Sequence, residues 1–294
     1  MRPAAEIAVA RFAIRHVTSY RYSKPVFLEP HILRLRPRCD WRQRLLSYSL
    51  RIDPEPAGLS WGLDAFGNER AQVWFNGLTE RLEAAVEATV ETLSDNPFDY
   101  LPAMEAQRLP PVFPPEETPA LMPYLPRRYP CAGPDDPLGA LVAGLTAARP
   151  NVPDFLWALN SRLFSTLEKI ERAEPGELSP RELLASGRGA CRDAAVLFME
   201  ACRMLGIPAR YVSGYQAGDP EVETGELHAW VEAYTPGGGW RGFDPTHGLA
   251  AAAHHVILAC AATPAQTAPI AGSFRATGAT ARLSHDIRLQ VQDE

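Results

Sequence analysis

The chain has 294 residues, of which 46% are hydrophobic and 22% charged, and its formal net charge is −6. That length buries a full core and has room for about two domains of roughly 150 residues each, while the apolar share excludes a disordered chain. No run of about 18 apolar residues occurs, so no membrane-spanning helix is expected, and the mildly acidic balance offers no footprint for nucleic acid.

From Arg11 to about Leu93 the pattern is β. Phe12, Ile14 and His16 alternate with Ala13, Arg15 and Val17, and Tyr20-Arg21-Tyr22 leads into a turn at Ser23-Lys24-Pro25. Ile32 to Arg36 and Leu45 to Ile52 alternate again, stopped by Pro37 and by Asp53-Pro54. Asp64-Ala65-Phe66-Gly67-Asn68 reads as a turn before Gln72 to Phe75 and Leu82 to Val90. Short strands separated by turn chemistry indicate an antiparallel β-sandwich over residues 10–95.

Between Pro97 and Pro137, 12 of 41 residues are proline. Such a stretch lacks backbone donors, so residues 96–137 read as an extended surface linker. Beyond it the period becomes helical, over Leu138–Ala148 and Pro153–Ile170. Ser179, Pro180 and Glu182 form a helix start, with Ser179 as N-cap. A further helix runs from about Cys191 to Leu205, closed by Gly206 and Pro208. Strands follow at Arg210–Tyr215, Leu227–Tyr234 and Trp240–Asp244, placing a helix-and-sheet core at 138–262. A C-terminal segment, 263–294, carries a final strand near 282–291.

The five cysteines are Cys39, Cys131, Cys191, Cys202 and Cys260. An odd number with no CxxC pair suggests neither a disulfide framework nor a zinc knuckle. Glu6, Arg11 and Arg15 interrupt the N-terminal stretch, which does not read as a signal peptide. A reduced, cytoplasmic setting is therefore expected, in which a thiol can be kept for chemistry.

Cys191 follows a glycine-flanked turn and opens a helix. Backbone N–H groups there favour a thiolate and could hold the oxyanion of a tetrahedral intermediate. The competing reading is a small core cysteine, which Cys202, in mid-helix among apolar neighbours, takes without contest. A thiolate nucleophile needs a base that later returns a proton to the leaving amine. Alternation puts His228, Trp230, Glu232 and Tyr234 on one strand face and Leu227, Ala229, Val231 and Ala233 on the other, which should face the core. If Tyr234 pairs with Gly238 across the hairpin, His228 faces Asp244 directly; if it pairs with Trp240, they are diagonal neighbours. Both registers leave the two side chains on one face, where Asp244 can orient the imidazole. Taken singly, His228 is also readable as a solvent-facing residue and Asp244-Pro245 as a strand-ending turn. His254 and His255 point to opposite sides of a strand, so they are not expected to share a metal.

These residues resemble the core of the transglutaminase-like superfamily, in its bacterial branch with an N-terminal β domain. The resemblance is carried by Gly189 to Ala195, Leu205 to Tyr215, His228 to Glu232 and Gly239 to Thr246. Upstream it is carried by His16 to Tyr22, Leu33 to Pro37 and Asp64 to Asn68. It implies an α+β fold with a papain-like core of helices packed on an antiparallel sheet. It also implies a Cys-His-Asp triad, here Cys191, His228 and Asp244, that transfers an acyl group through a thioester without cofactor or metal. Two places depart from the family pattern: Ala261 to Pro264 stands where Gly-Arg-Asp-Tyr is frequent, and His247 follows Thr246 where asparagine is usual.

The expected activity is attack on a peptide or protein amide, with hydrolysis favoured over cross-linking because nothing marks a dedicated amine site. Trp230 and Arg192 are the expected substrate contacts, and neither nucleic acid nor membrane is an expected partner. The alternative is an inactive module of the same fold that binds a peptide or protein. A thiol-redox role lacks a resolving cysteine near Cys191.

Overall fold

A computed structural model describes residues 10–130, 135–172, 174–217 and 226–292 of the chain. Cys131 and residues 1–9 lie outside them. Among the described residues no helix is long and apolar enough to cross a membrane.

The N-terminal half consists of β1 (Ala10–Leu28), β2 (His31–Leu33), β3 (Gln43–Asp53), β4 (Gly58–Leu63), β5 (Glu69–Trp74) and β6 (Leu78–Thr92). β1 is longer than its sequence suggests: the chain does not turn at Ser23-Lys24-Pro25 but bulges between Arg21 and Val26, and pairing with β6 resumes beyond. A bulge accommodates the proline without ending the strand. One sheet carries β1, β6 and β3, the other β2, β5 and β4. Phe12, Ile14, Val73, Val86 and Val90 are buried between them.

The proline-rich stretch departs from the expectation of a wholly extended linker. It folds into short turns at Met104–Gln107 and Met122–Tyr124 and one helical turn, α1 (Thr118–Leu121). Pro119 and Pro123 sit in first-turn positions, where a missing N–H costs nothing. The stretch is tied to the core by Glu200, whose buried carboxylate accepts from the Arg128 and Tyr129 amides at 3.0 and 3.2 Å.

Next come α2 (Pro137–Thr146), α3 (Val152–Thr166), β7 (Glu168–Lys169), α4 (Pro180–Ser186), β8 (Arg188–Gly189) and α5 (Cys191–Met204). The helix expected to reach Ile170 stops at Thr166, because Glu168 and Lys169 pair in parallel with Arg188 and Gly189. Ser179 caps α4 in a capping box with Glu182. The remaining strands are β9 (Ala209–Gln216), β10 (Glu226–Thr235), β11 (Gly239–Asp244), β12 (Leu249–Ala250), β13 (His255–Ala261), β14 (Ile270–Ala271), β15 (Phe274–Arg275) and β16 (Ala281–Gln292). β9 to β13 form an antiparallel sheet in the order β12-β11-β10-β9-β13. β16 returns to the N-terminal sheet and pairs with β1 along twelve residues, from Arg11–Gln292 to Tyr22–Ala281. The architecture is α+β.

α5 packs on one face of the β9–β13 sheet, against Ala229, Val231, Ala233 and Phe243. The other face is not open to solvent, because the N-terminal half covers it. Tyr215, Val256 and Leu258 share a core cluster with β1 and β6. His16 is buried, its Nδ1 at 2.8 Å from the Tyr215 hydroxyl. Burial, with His285 nearby, holds the His16 pKa down at about 4. The free edge of β13 is met by side-chain amides that mimic a neighbouring strand. Gln43 accepts from Ile257 N at 2.7 Å and donates to Ile257 O at 3.0 Å; Asn68 does the same with Cys260, both at 2.9 Å. The Asp64–Asn68 turn is therefore a docking device as well as a turn: Asp64 accepts from the Asn68 amide group at 3.0 Å and holds it in place. Glu232, fully buried, pairs with Arg42 of the N-terminal half and with Arg210 at 2.7 Å. Burial alone would raise its pKa, yet the two guanidinium groups bring it down to about 2.

Asn68→Ala leaves a buried N–H and C=O of Cys260 without partners, each costing about 1–3 kcal/mol. Urea unfolding should show a loss of about 2 kcal/mol or more, against little change for Asn76→Ala on the exposed turn before β6. Because the Glu232 carboxylate is stabilised only while ionised, its contribution is present above the ordinary carboxylate range and fades as pH falls toward 2.

Candidate active site

The segment before Cys191 is held from several sides. Gly187 ends α4 with φ +65°, in the left-handed region that favours glycine. A Cβ on Gly189 would lie 2.5 Å from Leu183, so only glycine passes between α4 and α5. The buried Asp193 carboxylate then accepts from Ala190 N at 2.8 Å, Leu178 N at 2.7 Å and both ways from Arg172 at 2.9 Å. Cys191 begins α5 half-buried, and its own amide and that of Arg192 occupy the first helical positions, which have no carbonyl one turn back.

His228 and Asp244 arrive from the hairpin. Tyr234 pairs with Trp240 and Val231 with Phe243, so His228 and Asp244 are diagonal neighbours, the second of the two registers. His228 Nε2 lies 2.8 Å from Asp244 Oδ2, and both side chains are fully buried. A carboxylate only accepts, so Nε2 carries the proton and Nδ1 is the nitrogen left free to exchange one. Nδ1 makes no hydrogen bond of good geometry, yet Cys191 is close enough to act on the ring. Catalytic contacts are often long before substrate binds. Burial alone would lower the His228 pKa. The hydrogen bond to Asp244, followed by Cys191, overcomes that and raises it to about 9.

Asp244 has more partners than the sequence indicates. Its Oδ2 also accepts from His247 Nδ1 at 2.8 Å and His255 Nε2 at 3.1 Å, and Oδ1 from the Thr246 and His247 amides at 3.0 and 3.3 Å. Burial opposes ionisation here, but the three imidazoles hold the carboxyl far below its usual range. The His228, Asp244 and His247 donor atoms lie within 4.8 Å of one another, a spacing that a metal could bridge. Their 2.8 Å separations are nevertheless hydrogen-bond lengths.

His247 was readable only as a departure from the family pattern, and His255 only as half of an unpromising histidine pair. His255 stands on β13, three strands from Asp244 in the sheet order. On the intervening β9, Gly214 makes room for the Trp230 ring: a Cβ there would stand 2.5 Å from it and 2.1 Å from the Val256 carbonyl oxygen.

The two expected substrate contacts are placed differently. Trp230 is fully buried, stacked near His228 with ring centroids 6.1 Å apart. Arg192 points its guanidinium at the carbonyls of Arg172, Glu174 and Gly176, at 3.1, 2.7 and 2.8 Å. Its role there is to hold the loop beside Cys191.

Residues 12–91 match the bacterial transglutaminase-like N-terminal region and residues 140–245 the transglutaminase-like superfamily core. An uncharacterized protein of Mycobacterium tuberculosis is 29% identical over 89% of this chain and 87% of its own length. One from Mycobacterium leprae is 28% identical over 92% and 95%. A protein-glutamine gamma-glutamyltransferase of Pseudomonas aeruginosa is 39% identical, but over only 21% of this chain and 10% of its own. A solved structure from Cytophaga hutchinsonii, provisionally assigned as a cysteine protease, superposes with a TM-score of 0.68. It is 23% identical and covers 97% of this chain and 98% of its own, a likeness of fold. On its two family matches, one to each half, the chain belongs to the transglutaminase-like superfamily.

Proposed function

We propose that the protein is a cysteine enzyme that cleaves a peptide or protein amide through a thioester on Cys191, with water favoured over a second amine as acyl acceptor. The observation that carries this reading is the His228 imidazole, tied at Nε2 to a buried carboxylate, with Nδ1 unpartnered and the helix-start thiol of Cys191 near enough to act on the ring. In the first step the Cys191 thiolate adds to the substrate carbonyl carbon. The negative oxygen that forms lies near the unpaired amides of the first turn of α5. His228, as imidazolium, then gives its Nδ1 proton to the departing nitrogen, and the C–N bond breaks to leave a thioester. Neutral His228 next takes a proton from water, whose oxygen adds to the thioester carbon and releases the acid and the thiolate. Asp244 keeps the ring oriented and stabilises its charged form.

Iodoacetamide should alkylate Cys191 ahead of the exposed Cys39, and His228→Ala should remove that advantage, slowing Cys191 tenfold or more. Equal, slow labelling of every accessible thiol would point to a binding module that keeps only the fold. On a cleaved substrate, Cys191→Ala should abolish turnover, and Asp244→Asn should lower kcat by roughly 10³–10⁴. The sign of the pH effect follows from the raised His228 pKa. The imidazolium persists up to about pH 9, so the rate should fall as pH rises through that value. In Asp244→Asn the anion is gone, and the fall should move to lower pH.

A further inference from the structure

The sheet built on β1 and β6 ends in two outer strands, β3 and β16. An outer strand offers a row of unpaired N–H and C=O groups to any passing chain unless it is short, bulged, charged with lysine or broken by proline. β3 is bulged between Leu45 and Ser47 and stops at Pro54. β16 has none of these defences. It contains no proline, glycine or lysine, and its pairing with β1 runs unbroken over twelve residues. Among the described residues no second strand pairs with it. Ile287 and Leu289, both buried in the core, hold it in place.

The two faces of β16 differ. Leu283 and Val291 share the side of Ile287 and Leu289, yet they are 54% and 36% exposed. On the other side Asp286 and Arg288 are both exposed, with Asp286 at 2.9 Å from Arg15 and 3.7 Å from Arg288 Nε. Read backwards, this strand is complementary to itself. Two copies meeting antiparallel about Ile287 overlap over residues 282–292. Each Asp286 then faces an Arg288, and each exposed Leu283 faces an exposed Val291. Opposite charges across a strand pair attract, and like charges repel. The register about Asp286 overlaps as far, but it sets carboxylate against carboxylate and Val291 against Ala281. A slip of one residue lays the apolar row against the polar one.

We propose that β16 pairs with β16 of a second copy of this chain, antiparallel about a two-fold axis at Ile287, so that the two sheets become one. The same surface serves both partners, so the contact closes after two chains and removes the open edge. The backbone ladder supplies the attraction, the Leu283–Val291 contacts cover the exposed apolar ends, and the Asp286–Arg288 pairs fix the register. This association stands apart from the proposed chemistry at Cys191 and does not depend on it.

The test is sedimentation equilibrium of the full chain at low salt, over about 1–100 μM, which should show a reversible monomer–dimer equilibrium. Asp286→Arg sets arginine against arginine, and Arg288→Asp sets aspartate against aspartate. Each variant alone should associate at least about tenfold more weakly than the wild type. Mixed in equal amounts, the two variants face each other with opposite charges at both positions, and the mixture should associate as strongly as the wild type. Thermal melts of both variants should match the wild type, since the altered side chains are exposed. A chain that stays monomeric throughout the range would overturn the proposal. So would a dimer that either single variant leaves unchanged, or a mixture of folded variants no more associated than its components.

Discussion

The arrangement depends on one buried negative charge. Asp244 sits at the end of β11, shielded from water, where a lone carboxylate would be too costly to ionise. It stays ionised because five hydrogen bonds converge on its two oxygens, three from imidazoles and two from backbone amides. The charge then becomes the field in which His228 titrates. Without Asp244, burial would strip the imidazole of its proton; with it, the proton is retained well above neutrality. The proposed chemistry needs that retained proton, since the leaving nitrogen must receive it.

The N-terminal half is what keeps this charge dry. A sheet bearing α5 on one face would leave His228, Trp230 and Glu232 in water on the other. The docking of β1, β6 and the 38–43 segment onto that face turns a half-exposed sheet into a buried layer. The contacts are specific: Gln43 and Asn68 read backbone groups of β13, and Arg42 meets Glu232. Removing one member of such a buried pair is far more costly than never having had it, because the remaining charge is left uncompensated. The Arg42–Glu232 pair therefore acts as a demand that the two halves stay together.

Much of the site was legible in the chain itself. Residue parity on a two-stranded hairpin put His228 and Asp244 on one face whichever register held, and the glycine-flanked turn marked Cys191 as a helix start. Harder to read were contacts set by strand order, since nothing local to His255 says that β13 lies across β9 from Trp230. His247 depends on a turn geometry that folds its ring back to Asp244. Alternation also left His228 open to a solvent-facing reading, because a sequence pattern reports which residues share a face and not what covers it. The partners of Arg192 were hidden for a similar reason: the carbonyls that hold its guanidinium come from Arg172, Glu174 and Gly176, with no motif to announce them. The bulge in β1 and the early stop of α3 were likewise decided by pairing partners elsewhere in the chain.

The central claim is that Asp244 holds His228 as an Nε2-bonded imidazolium beside Cys191. It is tested most directly by ¹H–¹⁵N correlation spectra of histidine-labelled protein across a pH series, with His228 assigned by its absence in His228→Gln. The account predicts that the His228 nitrogens keep imidazolium shifts until about pH 9. A His228 resonance that titrates near the ordinary histidine value of about 6.5, or that is neutral at every pH, would contradict it.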